Sequence, residues 1–335
     1  MKLPYIIAEI GLNHGGSHTL ANDMIHAAAA AGADACKFQY VKADRLVSRH
    51  APTYFQQAGA VAHTQHEFFA RSDAIDRHGY EYLARCCADY GVDFLCTVFD
   101  VESVHWIAPL VPAFKVASAD ITNVPLLDAI AGYGKPVYLS TGAATDDEID
   151  TALHVLPTPT TLLHCVLSYP TPPNQAQLGI IRDYLPAGYS DHTLFNLDVL
   201  TTAWLLGATV IEKHFTLDKT LPGNDHYHSM DPTDLRALVA KLKELQAMIG
   251  DGEKRVLPIE EAARLNARQS WHAARYLAPG ILTAADVVLK RPGTGLPPNF
   301  PIVGQYLNRA VAADSPIYAM SLTGGLAEAE KSPIL

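Results

Sequence analysis

The sequence has no apolar run near the roughly 20 residues that a membrane-spanning helix needs. Its opening, Met1-Lys2-Leu3-Pro4-Tyr5-Ile6-Ile7-Ala8-Glu9, is apolar too briefly for a secretory signal, and Glu9 interrupts it. A cytoplasmic location is therefore expected. Cysteine is scarce: Cys36, Cys86, Cys87, Cys96 and Cys165 are odd in number and show no CxxC spacing, so they read as buried, reduced thiols. Positive charge is in deficit, with 25 Lys and Arg against 35 Asp and Glu and a formal net charge of -10. Such a surface does not suit a polyanion, so nucleic acid is not an expected partner. A few lysines inside a cleft can still hold a small anion. No GxGxxG follows the first strand-like run, which argues against a doubly wound dinucleotide fold. Internal repeats and low-complexity tracts are also missing.

What is present is a globular chain of 335 residues, 49% apolar and 18% charged, long enough for one large domain and a small one. Short apolar runs alternate with helical patterns up to about residue 250. Eight strands are expected: Tyr5–Ile10, Ala35–Phe38, Asp93–Thr97, Phe114–Ser118, Pro136–Ser140, Thr161–Val166, Gly188–Ser190 and Thr209–Lys213. A helix after Ser17 carries Leu20, Met24, Ala27, Ala28 and Ala31 on one face and stops at Gly32. The last helix of the series opens at the cap Asp231-Pro232. Eight βα units over this length predict an α/β TIM barrel over 1–250. The connection from Tyr40 to Gly91 is too long for one helix and should hold extra structure over the barrel mouth. A polar linker over 251–269 and a compact β-rich domain over 270–335 follow, the latter marked by Pro279-Gly280, Pro292-Gly293 and Pro297-Pro298 turns.

A TIM barrel carries its chemistry at the carboxyl ends of its strands. Those ends offer Glu9, Asn13 and His14; Lys37 and Gln39; Thr97; Lys115, Ser118 and Asp120; Ser140 and Thr141; Tyr169; Ser190, Asp191 and His192; and Glu212, Lys213 and His214. Two lysines with the hydroxyls of Thr97, Ser118, Ser140 and Ser190 suit a phosphate or a carboxylate. Any one serine is common at a turn on its own account; hydroxyls on successive strands are better explained by a ligand. His192 and His214 end adjacent strands, where two imidazoles can meet at a divalent ion, although most of the 15 histidines must be incidental. Glu9 closes an otherwise apolar strand. It needs a partner such as Lys37 if buried, and near a substrate it would serve as a general base.

Taken in order, several segments resemble the sialic acid synthase family. They are Ile7-Ala8-Glu9-Ile10-Gly11-Leu12-Asn13-His14, Gly32-Ala33-Asp34-Ala35-Cys36-Lys37-Phe38-Gln39, Phe114-Lys115-Val116-Ala117-Ser118, Leu139-Ser140-Thr141-Gly142, Ser190-Asp191-His192 and Ile211-Glu212-Lys213-His214-Phe215-Thr216-Leu217-Asp218. Lys290-Arg291-Pro292-Gly293-Thr294-Gly295 is similar to the signature of that family's antifreeze-like (SAF) domain. The resemblance implies a barrel plus SAF domain, paired as a homodimer in which the SAF domain covers the partner's active site. It implies a nonulosonic acid synthase that joins phosphoenolpyruvate to an N-acyl amino-sugar aldehyde with release of phosphate. Lys37, Thr97, Lys115, Ser118, Ser140 and Ser190 would hold phosphoenolpyruvate. Gln39, Leu167, Tyr169, Asp225 and the partner subunit's Arg291 would meet the sugar, with Glu9, Asp120 and Glu212 as the catalytic carboxylates. His192 and His214 would hold a divalent metal, Mn²⁺ foremost, with Mg²⁺, Co²⁺ or Zn²⁺ as alternatives.

Two positions depart from the neuraminate-forming pattern. Asp120 stands where glutamate is usual, and Leu167 where asparagine is usual. Leucine cannot bond a hydroxyl but can pack a methyl group, which points to a deoxy acceptor such as a 2,4-diacetamido-trideoxyhexose. Two rival readings are a synthase of another sugar keto acid and a non-catalytic sugar-binding barrel. No additional basic cluster calls for a phosphorylated acceptor. The full set Glu9, Lys37, Lys115, His192, Glu212 and His214 argues against a module without turnover.

Overall fold

The computed structural model describes residues 1–54, 62–72, 74–156, 159–184, 186–223 and 225–323. The chain divides into two compact units, Met1–Asp251 and Gly252–Leu335. In the first, eight strands close into a parallel barrel in sequence order. They are β1 (Tyr5–Gly11), β2 (Ala35–Tyr40), β3 (Asp93–Val98), β4 (Phe114–Val116), β5 (Val137–Ser140), β6 (Thr160–His164), β7 (Ala187–Asp191) and β8 (Val210–His214). The expected TIM barrel is therefore the observed one. The strands differ from expectation mainly at their ends: β4 stops early because Ser118–Asp120 turns into a 3-10 helix, and β6 gives way to the loop carrying Tyr169.

The helices form where caps and periodicity coincide. In α1 (His18–Ala31), Ser17 accepts a hydrogen bond from the Leu20 amide, and Gly32 ends the helix at φ 100°. Met24, Ile25, Ala28 and Ala31 face the barrel. The long connection holds α2 (Ala43–Leu46), α3 (Gln65–Ser72) and α4 (Arg77–Asp89); 55–61 and 73 within it lie outside the described residues. Then come α5 (Val101–Ile107), α6 (Val124–Ala131), α7 (Asp146–Val155), α8 (Leu197–Leu205) and α9 (Pro232–Ile249), the last opened by a capping box between Asp231 and Asp234. Between β6 and β7 the crossover is made of 3-10 turns, Pro173–Gln175 and Leu178–Arg182. Pro170, Pro172, Pro173 and Pro186 remove the amide donors a longer helix would need.

Alternation along the strands sorts the interior into layers. Ile7, Ala35, Leu95, Ala113, Leu163 and Val210 form one apolar cluster inside the barrel, with Tyr5 and Tyr138 packed against it. Two residues further along the same strands stand Glu9, Lys37, Thr97, Lys115 and Glu212, and two beyond Tyr138 stands Ser140. The barrel thus changes from a dry plug to a polar cup within one pleat repeat.

The second unit holds α10 (Glu261–Ala267), β9 (Ser270–Ala273), β10 (Gly280–Ile281), β11 (Val287–Lys290) and β12 (Tyr306–Leu307). Two small antiparallel sheets, β9 with β11 and β10 with β12, enclose a core that includes Ala273, Leu282, Ile302, Leu307 and Ile317. Residues 324–335, the end of the expected second domain, lie outside the described residues. All five cysteines are free and buried. No described helix is long and apolar enough to cross a membrane.

Candidate active site

The polar cup is a charge-paired network. Lys37 Nζ lies 2.6 Å from Glu9 Oε2 and 3.7 Å from Glu212 Oε2, and it donates to Thr97 Oγ1 at 3.0 Å. Lys115 Nζ donates to Ser140 Oγ at 2.7 Å and stands 3.7 Å from Glu212 Oε1. Ser190 Oγ donates to the same carboxylate at 2.8 Å, and Gln39 Nε2 donates to Glu9 Oε1 at 2.6 Å. Sheet register brings these groups together, since Glu9 pairs with Lys37 on β2 and with His214 on β8, while Ser190 pairs with Glu212. Gly11, at φ +54°, lets the chain turn beside this group; a Cβ there would come within 3.0 Å of Glu9 Oε1.

Every charge in the network is opposed by burial. At Glu9 burial outweighs the attraction of Lys37 and lifts the carboxyl above its ordinary range. At Glu212 burial is overcome by Lys115 and Lys37, which hold the carboxyl low. Burial would depress Lys37, but Glu212 and Glu9 hold it up. Lys115 is pulled down by burial, which Glu212 offsets only in part.

The β7–β8 side of the mouth carries histidines. His192 donates its Nδ1 proton to the Val166 carbonyl at 2.9 Å, and its ring centroid lies 4.4 Å from that of Tyr169. Its centroid lies 5.9 Å from that of His214, which in turn lies 5.0 Å from that of His228. His214, Asp225 and His228 each offer a ligand-type atom, all within 4.8 Å of one another. Burial lowers the pKa of His192, lowers that of His214 well below the usual value, and takes His228 down to about 3. All three are neutral imidazoles at pH 7, the form that binds metals.

The structure gathers Glu9, Lys37, Gln39, Thr97, Lys115, Ser118, Ser140, Tyr169, Ser190, His192, Glu212 and His214 around one pocket, with Phe99 and Cys165 added. Asp120 sits just beyond, in the 3-10 turn after β4, where Asn123 donates to it and burial raises its pKa. Leu167 is half-buried beside Gly142. Asp225 joins the histidine group. Arg291 is exposed in the second unit, on the turn after β11. From the long connection after β2, Tyr54 comes close enough to Asp225 and Asp120 for their charges, after burial, to raise its phenol pKa.

Four polar rim residues of the sequence reading serve the frame instead. Lys213 Nζ is fully buried, donating to Asp191 Oδ2 at 2.6 Å and to the Thr193 carbonyl at 2.7 Å; Asp191 also accepts from the Tyr189 hydroxyl. Alternation turns Lys213 and Asp191 away from the cup while fixing the ends of β7 and β8 that present His192 and His214. Asn13 donates to the Phe215 carbonyl and Ser229 Oγ, and the Thr141 hydroxyl to the Leu163 carbonyl. His228 went unnoticed in the sequence. Its signal was faint: a His-Tyr-His run on the loop leaving the last barrel strand.

The model of the NeuB family matches residues 24–254. The chain belongs to the NeuB family. Among its NeuB relatives, the N,N'-diacetyllegionaminic acid synthase of Legionella pneumophila is 37% identical over 92% of this chain and 92% of its own length. The N,N'-diacetyllegionaminic acid synthase of Campylobacter jejuni is 36% identical over 88% of this chain and 92% of its own. The crystal structure of the N-acetylneuraminic acid synthetase of Leptospira borgpetersenii, in complex with citrate, superposes with a TM-score of 0.69 at 33% identity, covering 78% of this chain and 90% of that one.

Proposed function

We propose that this NeuB-family chain is a nonulosonic acid synthase that condenses phosphoenolpyruvate with an N-acyl amino-sugar aldehyde and water and releases phosphate. The observation that carries the reading is the pairing of two buried ammonium groups, Lys37 and Lys115, with a ring of hydroxyls at the floor of the cup. Phosphoenolpyruvate would take Lys37, Thr97, Lys115, Ser118, Ser140 and Ser190. Carbon 3 of phosphoenolpyruvate attacks the aldehyde carbon, whose oxygen takes up a proton. The cationic carbon 2 takes up water, and phosphate leaves with cleavage of the C2–O bond. Glu9, whose pKa burial raises, would accept the proton of that water. Glu212 would hold the two lysines in register, and Asp120 would face the acceptor.

The donor set fits a divalent metal. It comprises neutral imidazoles and a carboxylate, and Nδ1 of buried His214 has no hydrogen-bond partner. His192 and His214 would hold the ion, Mn²⁺ foremost, which when bound supplies Lewis-acid polarisation of the acceptor's carbonyl oxygen. Gln39, Tyr169 and Asp225 would position the sugar. By family resemblance the protein would be a homodimer, the tail unit would be a SAF domain and the partner subunit's Arg291 would reach this cup.

For the acceptor we favour a 2,4-diacetamido-trideoxyhexose, because Leu167 offers a packing surface in place of an amide and both relatives named above are N,N'-diacetyllegionaminic acid synthases. Phosphate release with Mn²⁺, run against N-acetylmannosamine and the deoxy sugar with product masses, tests this. Release with only the deoxy sugar is expected. Equal turnover of N-acetylmannosamine would remove Leu167 as a selector, and release with neither would sink the acceptor class.

A further inference from the structure

We propose that His228 is a metal ligand, completing with His214 and Asp225 a site on the connection that leaves β8. The inference rests on the metal-dependent reading above and extends it beyond the pair His192–His214. His228 lies in the 3-10 turn His226–His228 and is 0% exposed. Neither of its ring nitrogens has a hydrogen bond, and among the described residues it is the one histidine with both nitrogens buried in that state. Buried polar atoms are normally paired. Two other buried histidines each have a ring nitrogen paired: His226 meets Thr216 Oγ1 at 2.7 Å, and His164 meets the Ala176 carbonyl at 2.8 Å.

The unpartnered nitrogens lie beside one carboxylate. His228 Nε2 stands 4.0 Å from Asp225 Oδ1, and His214 Nδ1 stands 3.8 Å from Asp225 Oδ2. Both gaps are too long for hydrogen bonds. They match the roughly 3–4 Å that separates two ligands bonded at about 2.0–2.2 Å to one ion.

Hydrogen bonds tie the segment that carries Asp225 and His228 to the barrel. Asn13 Nδ2 donates to Ser229 Oγ at 3.1 Å, Ser229 Oγ donates to the Asp225 carbonyl at 2.5 Å, and the Tyr227 hydroxyl donates to the Tyr169 carbonyl at 2.9 Å. The rings of Tyr169 and Tyr227 flank the His228 imidazole, with centroids 5.7 and 4.9 Å away. Packing alone would be served as well by phenylalanine, which leaves the two free nitrogens unexplained. Ligation explains them, and it would add donors to the pair His192–His214.

The test is Mn²⁺ binding to the full chain without substrate, read from the electron paramagnetic resonance of free ion. Echo-modulation spectra of bound Mn²⁺ count the coupled imidazole nitrogens, and melting temperatures follow the fold. His228→Phe and His214→Ala should each weaken binding by at least about tenfold, and His228→Phe should lose one imidazole coupling. Should His228→Phe fold poorly, His228→Asn reads the same affinity in a polar replacement. Wild-type affinity and couplings in both His228 variants, with binding lost in His192→Ala and His214→Ala, would overturn this inference and leave the two-histidine site standing. A lowered melting temperature at unchanged affinity would likewise make His228 a packing residue. Failure of the wild-type chain to bind Mn²⁺ would overturn this inference and the metal reading beneath it.

Discussion

The two halves of the barrel mouth bury polar atoms by opposite means. Around Lys37 and Lys115, charge is cancelled by charge: Glu9 and Glu212 sit among the ammonium groups, and hydroxyls take the remaining donors. Around His192, His214 and His228, burial keeps the imidazoles neutral, and Nδ1 of His214 and both ring nitrogens of His228 have no hydrogen-bond partner. The first arrangement offers two ammonium groups and a set of hydroxyls to an incoming anion. The second presents neutral imidazoles whose lone pairs suit a Lewis acid. One cup thus holds two electrostatic environments a few ångströms apart, matched to the two halves of the proposed reaction.

Experiments that disturb one half and read the other sharpen this contrast. The largest effect is expected from chelation. Turnover should fall to background and return with Mn²⁺, while calorimetry still detects phosphoenolpyruvate binding, because the lysine half needs no ion. Lys115→Met should lower kcat/KM for phosphoenolpyruvate by about 10³-fold, the scale of one lost preorganised donor, with Mn²⁺ affinity unchanged. A matching loss of Mn²⁺ affinity would show that the halves are a single coupled unit. Glu9→Gln keeps the hydrogen-bonding shape but removes the base. It should cost about 10²-fold in kcat with little change in KM for phosphoenolpyruvate, as steady-state kinetics would report.

The smallest effect is thermodynamic. His192, His214 and His228 have folded pKa values below the ordinary value of about 6.5. The unfolded chain therefore binds more protons below that pH, and stability present above it is lost as pH falls, down to about 3 for His228. The loss is about 1.4 kcal/mol per pH unit for each such group. Melting of metal-free protein between pH 7.5 and 5.5 should show it, and His228→Phe should lose less.

The barrel and its charged half were legible because both follow from alternation. A strand with Ile7 inward has Glu9 inward, and the same step links Ala35 to Lys37, Leu95 to Thr97 and Val210 to Glu212. The same parity separates Ser190 and His192 from Asp191, and Glu212 from Lys213. A reading that counts polar residues at strand ends without it merges the frame with the site. His228 was out of reach for a different reason. It stands on an irregular loop with no period, and what marks it is the absence of a hydrogen bond, a property of three-dimensional placement alone. The β6–β7 crossover lost its expected helix to prolines that were plain in the sequence, but the barrel's eight-fold pattern outweighed them.

The one-pleat change from dry plug to polar cup makes each barrel strand a message with a reading frame of two. A substitution alters one letter. An insertion or deletion between the layers, for example between Ile7 and Glu9, would shift the frame, send Glu9 to the helix-facing side and bring an apolar neighbour into the cup. Variation in chain length is therefore confined to the connections. The long segment between β2 and β3 is where this chain has room for it.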